Sequence, residues 1–142
     1  MQTGEIIQTN AAILAIGHSA RDTFYSLRDR QIMMEAKPFA IGVRIEHPQS
    51  MMNMAQYGME DPYESLGVAD YKVTYQAENG RAVYSFCMCP GGKVVAAASE
   101  DGMVAVNGMS DLARDGENAN SALVVNVTTD DFDGNDVLAG VE

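Results

Sequence analysis

A chain of 142 residues is one domain's worth, and 46% hydrophobic with 20% charged residues is an ordinary globular composition rather than a disordered one. Nine Lys plus Arg against twenty Asp plus Glu leave a net charge of −11, which argues against the basic stripe of a nucleic-acid binder. The acid is concentrated in Asp130, Asp131, Asp133, Asp136 and Glu142 at the end of the chain, with no base among them. No apolar run approaches the ~20 residues of a membrane span, and no charged-then-apolar leader opens the sequence. The expectation is a cytoplasmic protein with neither a membrane nor a nucleic acid as partner.

In chain order, Ala12-Ile13-Leu14-Ala15-Ile16 is a continuous apolar run, as expected of a strand buried on both faces. Gly17-His18 ends it. Ser19 and Asp22 have the spacing of a capping box opening a helix that carries Phe24 and Leu27. The period then changes, and Phe39, Ile41, Val43 and Ile45 alternate with Ala40, Gly42, Arg44 and Glu46 as in a half-buried strand. Pro48 suits the first turn of a short helix running to about Tyr57, with Gly58 as its stop.

After a polar loop from Glu60 to Leu66, Tyr71–Gln76 and Arg81–Cys89 are strand-like, and Asn79-Gly80 between them signals a hairpin. Pro90-Gly91-Gly92 turns the chain into a strand at 94–98. Asp101-Gly102 turns it again into 103–106. A polar stretch from Asn107 to Asn120 reads as a long loop, the kind that often carries function, before a last apolar strand at 121–127. The fold class is α+β: a β-rich mixed or antiparallel sheet with two or three helices, preceded by a strand–turn–helix.

Three places could carry chemistry. At Gly17-His18-Ser19 a strand meets a helix N-terminus, where free N–H groups favour an anionic or polar ligand; a well-capped turn with nothing bound is the other reading. Cys87-Met88-Cys89-Pro90-Gly91-Gly92 holds both cysteines. Alternation from Val83 puts Cys87 and Cys89 on one face, with Cα atoms roughly 6.6–6.8 Å apart in an extended strand, the far edge of disulfide geometry. Unpaired thiols acting as small buried hydrophobes are expected, with a redox pair or soft metal site as the alternative. In the polar stretch, Asn107, Ser110, Asn118 and Asn120 could line a cofactor and Arg114 could meet a carboxylate or phosphate, or the loop is a solvated connection.

Thr9 through Ser19 resembles the second flavin-contacting strand of the flavoproteins with two dinucleotide-binding domains. Ala-Lys-Pro-Phe-Ala-Ile-Gly-Val-Arg-Ile-Glu-His-Pro-Gln (36–49), Tyr-Ser-Phe-Cys-Met-Cys-Pro-Gly-Gly (84–92), Asn-Gly-Met-Ser (107–110) and Asn-Ala-Asn-Ser-Ala-Leu (118–123) are more specific. They resemble bacterial FAD-dependent dehydrogenases or oxidoreductases. The resemblance covers essentially the whole chain and is weakest over the acidic tail.

Members of that family are longer, so the resemblance implies an excised middle fragment. Residues 1–30 would end a Rossmann-type FAD-binding domain, and 31–142 would form an inserted β-rich domain on the substrate side. By the same resemblance Gly17, His18, Ser19, Pro90, Gly91, Gly92, Asn107, Ser110, Arg114, Asn118 and Asn120 would contact the cofactor. Cys87 and Cys89 would approach the substrate pocket. FAD would belong to the full-length parent, with none held tightly by this fragment, and NAD(P) could serve as a further cofactor. The partners implied are the remaining FAD-domain segments and a small-molecule substrate. The parent would be an oxidoreductase and the fragment alone inactive; a noncatalytic ligand-binding or protein-interaction domain is the competing reading.

Overall fold

In a computed structural model, which describes residues 4–62, 64–98, 101–132, 136, 138 and 140, the elements follow in the order α1 (Arg21–Asp29), β1 (Phe39–Pro48), α2 (Gln49–Tyr57), β2 (Thr74–Gln76), β3 (Ala82–Cys89), β4 (Gly92–Ala96), β5 (Val106–Ser110) and β6 (Asn118–Val127). The architecture is α+β, as the sequence implies. Four strands form an antiparallel sheet in the order β1-β6-β3-β2, and β4 and β5 pair as a separate antiparallel ribbon.

The alternating run at 39–46 becomes β1 and pairs with β6 along its whole length, from Phe39 opposite Val127 to Pro48 opposite Asn118. Directly opposed residues share a face. One face of the sheet therefore carries Phe39, Ile41 and Val43 beside Val127, Val125 and Leu123. The other carries Arg44 and Glu46 beside Ala122 and Asn120. Phe39 is covered by a stacked Phe132 at 6.1 Å between centroids, whereas Ile41 and Val43 stay more than half exposed.

Helix α2 follows Pro48 and ends at Gly58, whose left-handed backbone (φ 72°) lets its N–H close on the Met54 carbonyl. The β2–β3 hairpin has a three-residue loop, with Gly80 at φ 84° and the Ala77 N–H donating to the Arg81 carbonyl.

Five expectations are corrected. Ala12–Ile16 belongs to no strand, and Ile13 is almost fully exposed. A strand buried on both faces needs neighbours along its edges, and among the described residues this run has none. The capping box at Ser19 and Asp22 does not form. The N-cap of α1 is Ala20, without a side-chain cap, and the Asp22 carboxylate accepts from the adjacent Thr23 N–H.

The strand placed at 94–98 runs instead over Gly92–Ala96, and the one placed at 103–106 over Val106–Ser110. The polar loop at 107–120 contracts to 111–117, because Asn107 pairs opposite Val95, Ser110 opposite Gly92, and Asn118–Asn120 opposite Pro48–Glu46. Pairing decides these strands, not hydrophobicity. Ala119, Asn120 and Ser121 are in fact among the most buried residues described.

Candidate functional site

The site is organised by a bulge in β3. Phe86 lies opposite Ala122 and Cys89 opposite Asn120, so β3 advances three residues while β6 advances two. The irregularity includes Cys87, whose φ of 49° is left-handed and uncommon for a residue with a Cβ. Plain alternation would leave both cysteines beside Val83 and Ser85. The bulge instead moves Cys89 to the face of Phe86, Ala122 and Asn120. Both thiols are free, but Cys87 is exposed and Cys89 half-buried, so neither is the buried hydrophobe expected.

Arg44 of β1 reaches across this face. Its Nη1 donates to the Cys87 carbonyl at 3.1 Å and to Asn120 Oδ1, and stands 3.9 Å from Cys89 Sγ. Asn120 is wholly buried. A guanidinium only donates, so the oxygen of the Asn120 amide must face it. That orientation leaves Asn120 Nδ2 buried without a hydrogen-bond partner, which costs about 1–3 kcal/mol. Gly108 of β5 closes over the group. A Cβ there would collide with Arg44 Nη1, Asn120 Oδ1 and Cys89 Sγ.

The neighbouring Glu46 carboxylate fixes the β4–β5 ribbon to the sheet. It accepts from the Val94 N–H at 2.7 Å and from Asn118 Nδ2 at 2.7 Å. These bonds, Val94 foremost, hold its pKa below the usual carboxylate value. The 90–92 turn is held from two sides. Ser110 Oγ donates to the Pro90 carbonyl at 2.7 Å, and the Gly91 N–H donates to Gln49 Oε1 at 2.9 Å.

Gln49 and Asn53, four residues apart on α2, are both buried and joined at 2.9 Å. Gln49 Nε2 also donates to the Ala69 carbonyl, Asn53 Oδ1 accepts from the Ala69 N–H, and Asn53 Nδ2 donates to the Glu60 carbonyl. The backbone of Arg114 packs so tightly against Gly91 that no Cβ would fit between them, while the Arg114 side chain stays exposed.

Beside the bulge lies a cleft of about 260 Å³ lined by Tyr71, Lys72, Ser85, Phe86, Cys87 and Met88. Behind it, His47 Nε2 and the Tyr71 hydroxyl are 3.0 Å apart. A cleft of this size is slightly below the ~300–1,000 Å³ of typical ligand pockets. It suits a ring or a small substrate and not a whole dinucleotide. No group of three or more His, Cys, Asp or Glu able to hold a metal occurs among the described residues. No helix among them is long and apolar enough to cross a membrane.

The residues singled out by sequence therefore divide. Cys87, Cys89, Pro90, Gly91, Gly92, Ser110, Arg114, Asn118 and Asn120 converge at one end of the sheet, and Asn107 stands next to Gly108 with its Oδ1 on the Gly108 N–H. Gly17 and His18 hydrogen-bond none of them, and Ser19 immediately precedes the N-cap of α1. Arg44, Glu46, Gln49 and Asn53 were missed. Arg44 and Glu46 read as the polar half of an alternating strand; the spacing of Gln49 and Asn53 on one helix face was the available signal for that pair.

Residues 38–142 match the family described as FAD-dependent protein, C-terminal domain-like. An uncharacterised protein of Clostridium beijerinckii is 57% identical over 140 residues, which is 98% of this chain and 26% of that protein. The chain spans about a quarter of the length of that relative. With most of its length covered by the family match, the chain belongs to the FAD-dependent protein, C-terminal domain-like family.

Proposed function

We propose that this chain is the part of an FAD-dependent oxidoreductase that lies over the flavin ring and shapes the pocket for a small-molecule substrate. The observation that carries the reading is the convergence of the 87–92 segment with Ser110, Asn118, Asn120 and Arg44 beside a cleft of ring size. Cys87, Phe86 and Tyr71 would form a wall of that pocket, and Gly91 and Gly92 would let a planar group approach the backbone. The cleft is too small for FAD as a whole. The phosphates and adenine would be held by the remaining FAD-domain segments of the parent, as would the strand partners of Ala12–Ile16. When bound, the flavin would supply hydride or electron transfer, and this chain would position the substrate and exclude water.

The test is to purify the full-length Clostridium beijerinckii relative and record its visible spectrum. The expected result is a flavin spectrum that bleaches when a reduced substrate or NAD(P)H is added. The 142-residue chain alone is expected to be colourless. A full-length protein that neither carries nor takes up FAD would overturn the proposal in favour of a noncatalytic ligand-binding or interaction domain.

A further inference from the structure

We infer that Arg44 and Asn120 form a recognition site for a carboxylate group, deepening the proposed function by giving the chemical class of the substrate. Three observations carry this assignment. First, every acceptor of Arg44 is neutral, and all are reached through Nη1: the Cys87 carbonyl, Asn120 Oδ1 and, more distantly, Cys89 Sγ. Among the described residues its Nε and Nη2 make no hydrogen bond or ion pair. A half-buried guanidinium thus keeps one planar edge unused.

Second, Asn120 Nδ2 is fully buried without an acceptor, and its orientation is dictated by Arg44. Third, the acid nearest in the ladder is already engaged. Glu46 lies directly opposite Asn120, but its two oxygens are taken by the Val94 N–H and Asn118 Nδ2. The site therefore offers N–H donors and a guanidinium that makes no direct ion pair among the described residues, the Glu46 carboxylate being held on Val94 and Asn118 instead. A guanidinium fork pairs bidentately with carboxylate and phosphate alike; the carboxylate, flat and smaller, is the one that a site closed by Gly108 can admit. Gly108 is the cover over the pair, so the β4–β5 ribbon must yield for an oxygen to reach Nδ2.

The direct test is a titration of the ¹⁵N-labelled 142-residue chain with sodium benzoate at constant ionic strength, followed on the Asn120 side-chain amide and the Gly108 backbone amide. The expected result is a saturable shift of both signals, at least tenfold weaker in Arg44→Gln, which keeps two donors for Cys87 and Asn120 while removing the charge. Arg44→Lys, which keeps the charge without the planar fork, is expected to bind with intermediate affinity and serves if Arg44→Gln does not fold.

The absence of a saturable shift, an equal shift with chloride or inorganic phosphate, or unchanged affinity in the variants would overturn the assignment. A shift produced by riboflavin and not by benzoate would also overturn it, by giving the site to a flavin carbonyl. The binding measurement uses no flavin spectrum, so its failure would leave the flavoprotein reading standing on its own test.

Discussion

Cys89 stands directly opposite Asn120 in the ladder, on the face of the sheet that carries Arg44, although its spacing from Val83 assigns it to the opposite face. One extra residue in β3 makes the difference. The Cys87 carbonyl can then accept from Arg44, and Cys89 Sγ turns back to within 3.4 Å of the same carbonyl. The bulge therefore joins a β3 backbone group, a β1 cation and a buried β6 amide that regular pairing would keep apart.

The two thiols are expected to react differently, since Cys87 is exposed and Cys89 half-buried under Gly108. An aromatic disulfide reagent should modify one thiol quickly in the native chain and both after denaturation. Mass mapping should place the fast adduct on Cys87. Equal rates, or no thiol after denaturation without reductant, would contradict this arrangement.

Gly108→Ala is expected to be destabilising by about 1–3 kcal/mol, the range for forcing an extra methyl into a packed site. Its Cβ would meet Arg44, Asn120 and Cys89 together, and none can retreat without losing a hydrogen bond or moving a strand. Urea denaturation measures the loss. A wild-type midpoint would mean that the β4–β5 ribbon does not press on the site.

The elements legible in the sequence are those with local causes. Alternation at Phe39–Ile45, the glycine after Asn79, and Pro48 followed by Gly58 each specify backbone geometry within a few residues. Asn107–Ser110 and Asn118–Asn120 were not legible as strands because their polar side chains give no hydrophobic period; their partners on β4 and β1 place them. Ala12–Ile16 shows the converse, an apolar run without a strand partner among the described residues and so without a strand. The odd composition of 87–92 and the Asn-rich stretch pick out residues that the fold brings close together. Arg44 escaped notice because only the tertiary register reveals that its face is covered.

Asn53→Leu is expected to cost roughly 2 kcal/mol or more, because similar volume is kept while buried polar groups are stranded. The Ala69 N–H and Gln49 Nε2 would lose Asn53 Oδ1, and the Glu60 carbonyl would lose Nδ2. Gln49 positions Gly91, so the Gly91 amide resonance should shift as well. Unchanged stability would show that α2 is not the clamp on the 90–92 turn.

Hydrogen exchange should separate the two halves of the polar stretch. Asn118–Ser121 lie in the paired strand β6, with Ala119, Asn120 and Ser121 buried, so their amides should exchange slowly, while 111–116 should exchange fast. Fast exchange across both halves would return the stretch to a single loop.

Acid should weaken the closure of the sheet through Asp131. Its carboxylate accepts from both Arg81 Nη atoms and from the Thr128 N–H, while Arg81 also holds the Asn126 carbonyl at 2.8 Å. Hydrogen bonding to Arg81, then to Thr128, lowers the Asp131 pKa from its usual 3.8 to about 2. A carboxyl with a folded pKa below its unfolded value stabilises the fold fully above the unfolded value. That contribution is lost as pH falls from about 3.8 through about 2. Arg81 stays protonated throughout this range, so the loss belongs to the carboxyl. A carboxyl ¹³C titration should find Asp131 titrating near 2 in the wild type and moving up toward the ordinary aspartate range in Arg81→Gln. Urea midpoints should fall more steeply with acid in the wild type than in the variant. A wild-type Asp131 titrating at its usual value would mean that the Arg81 pairing is not maintained in solution.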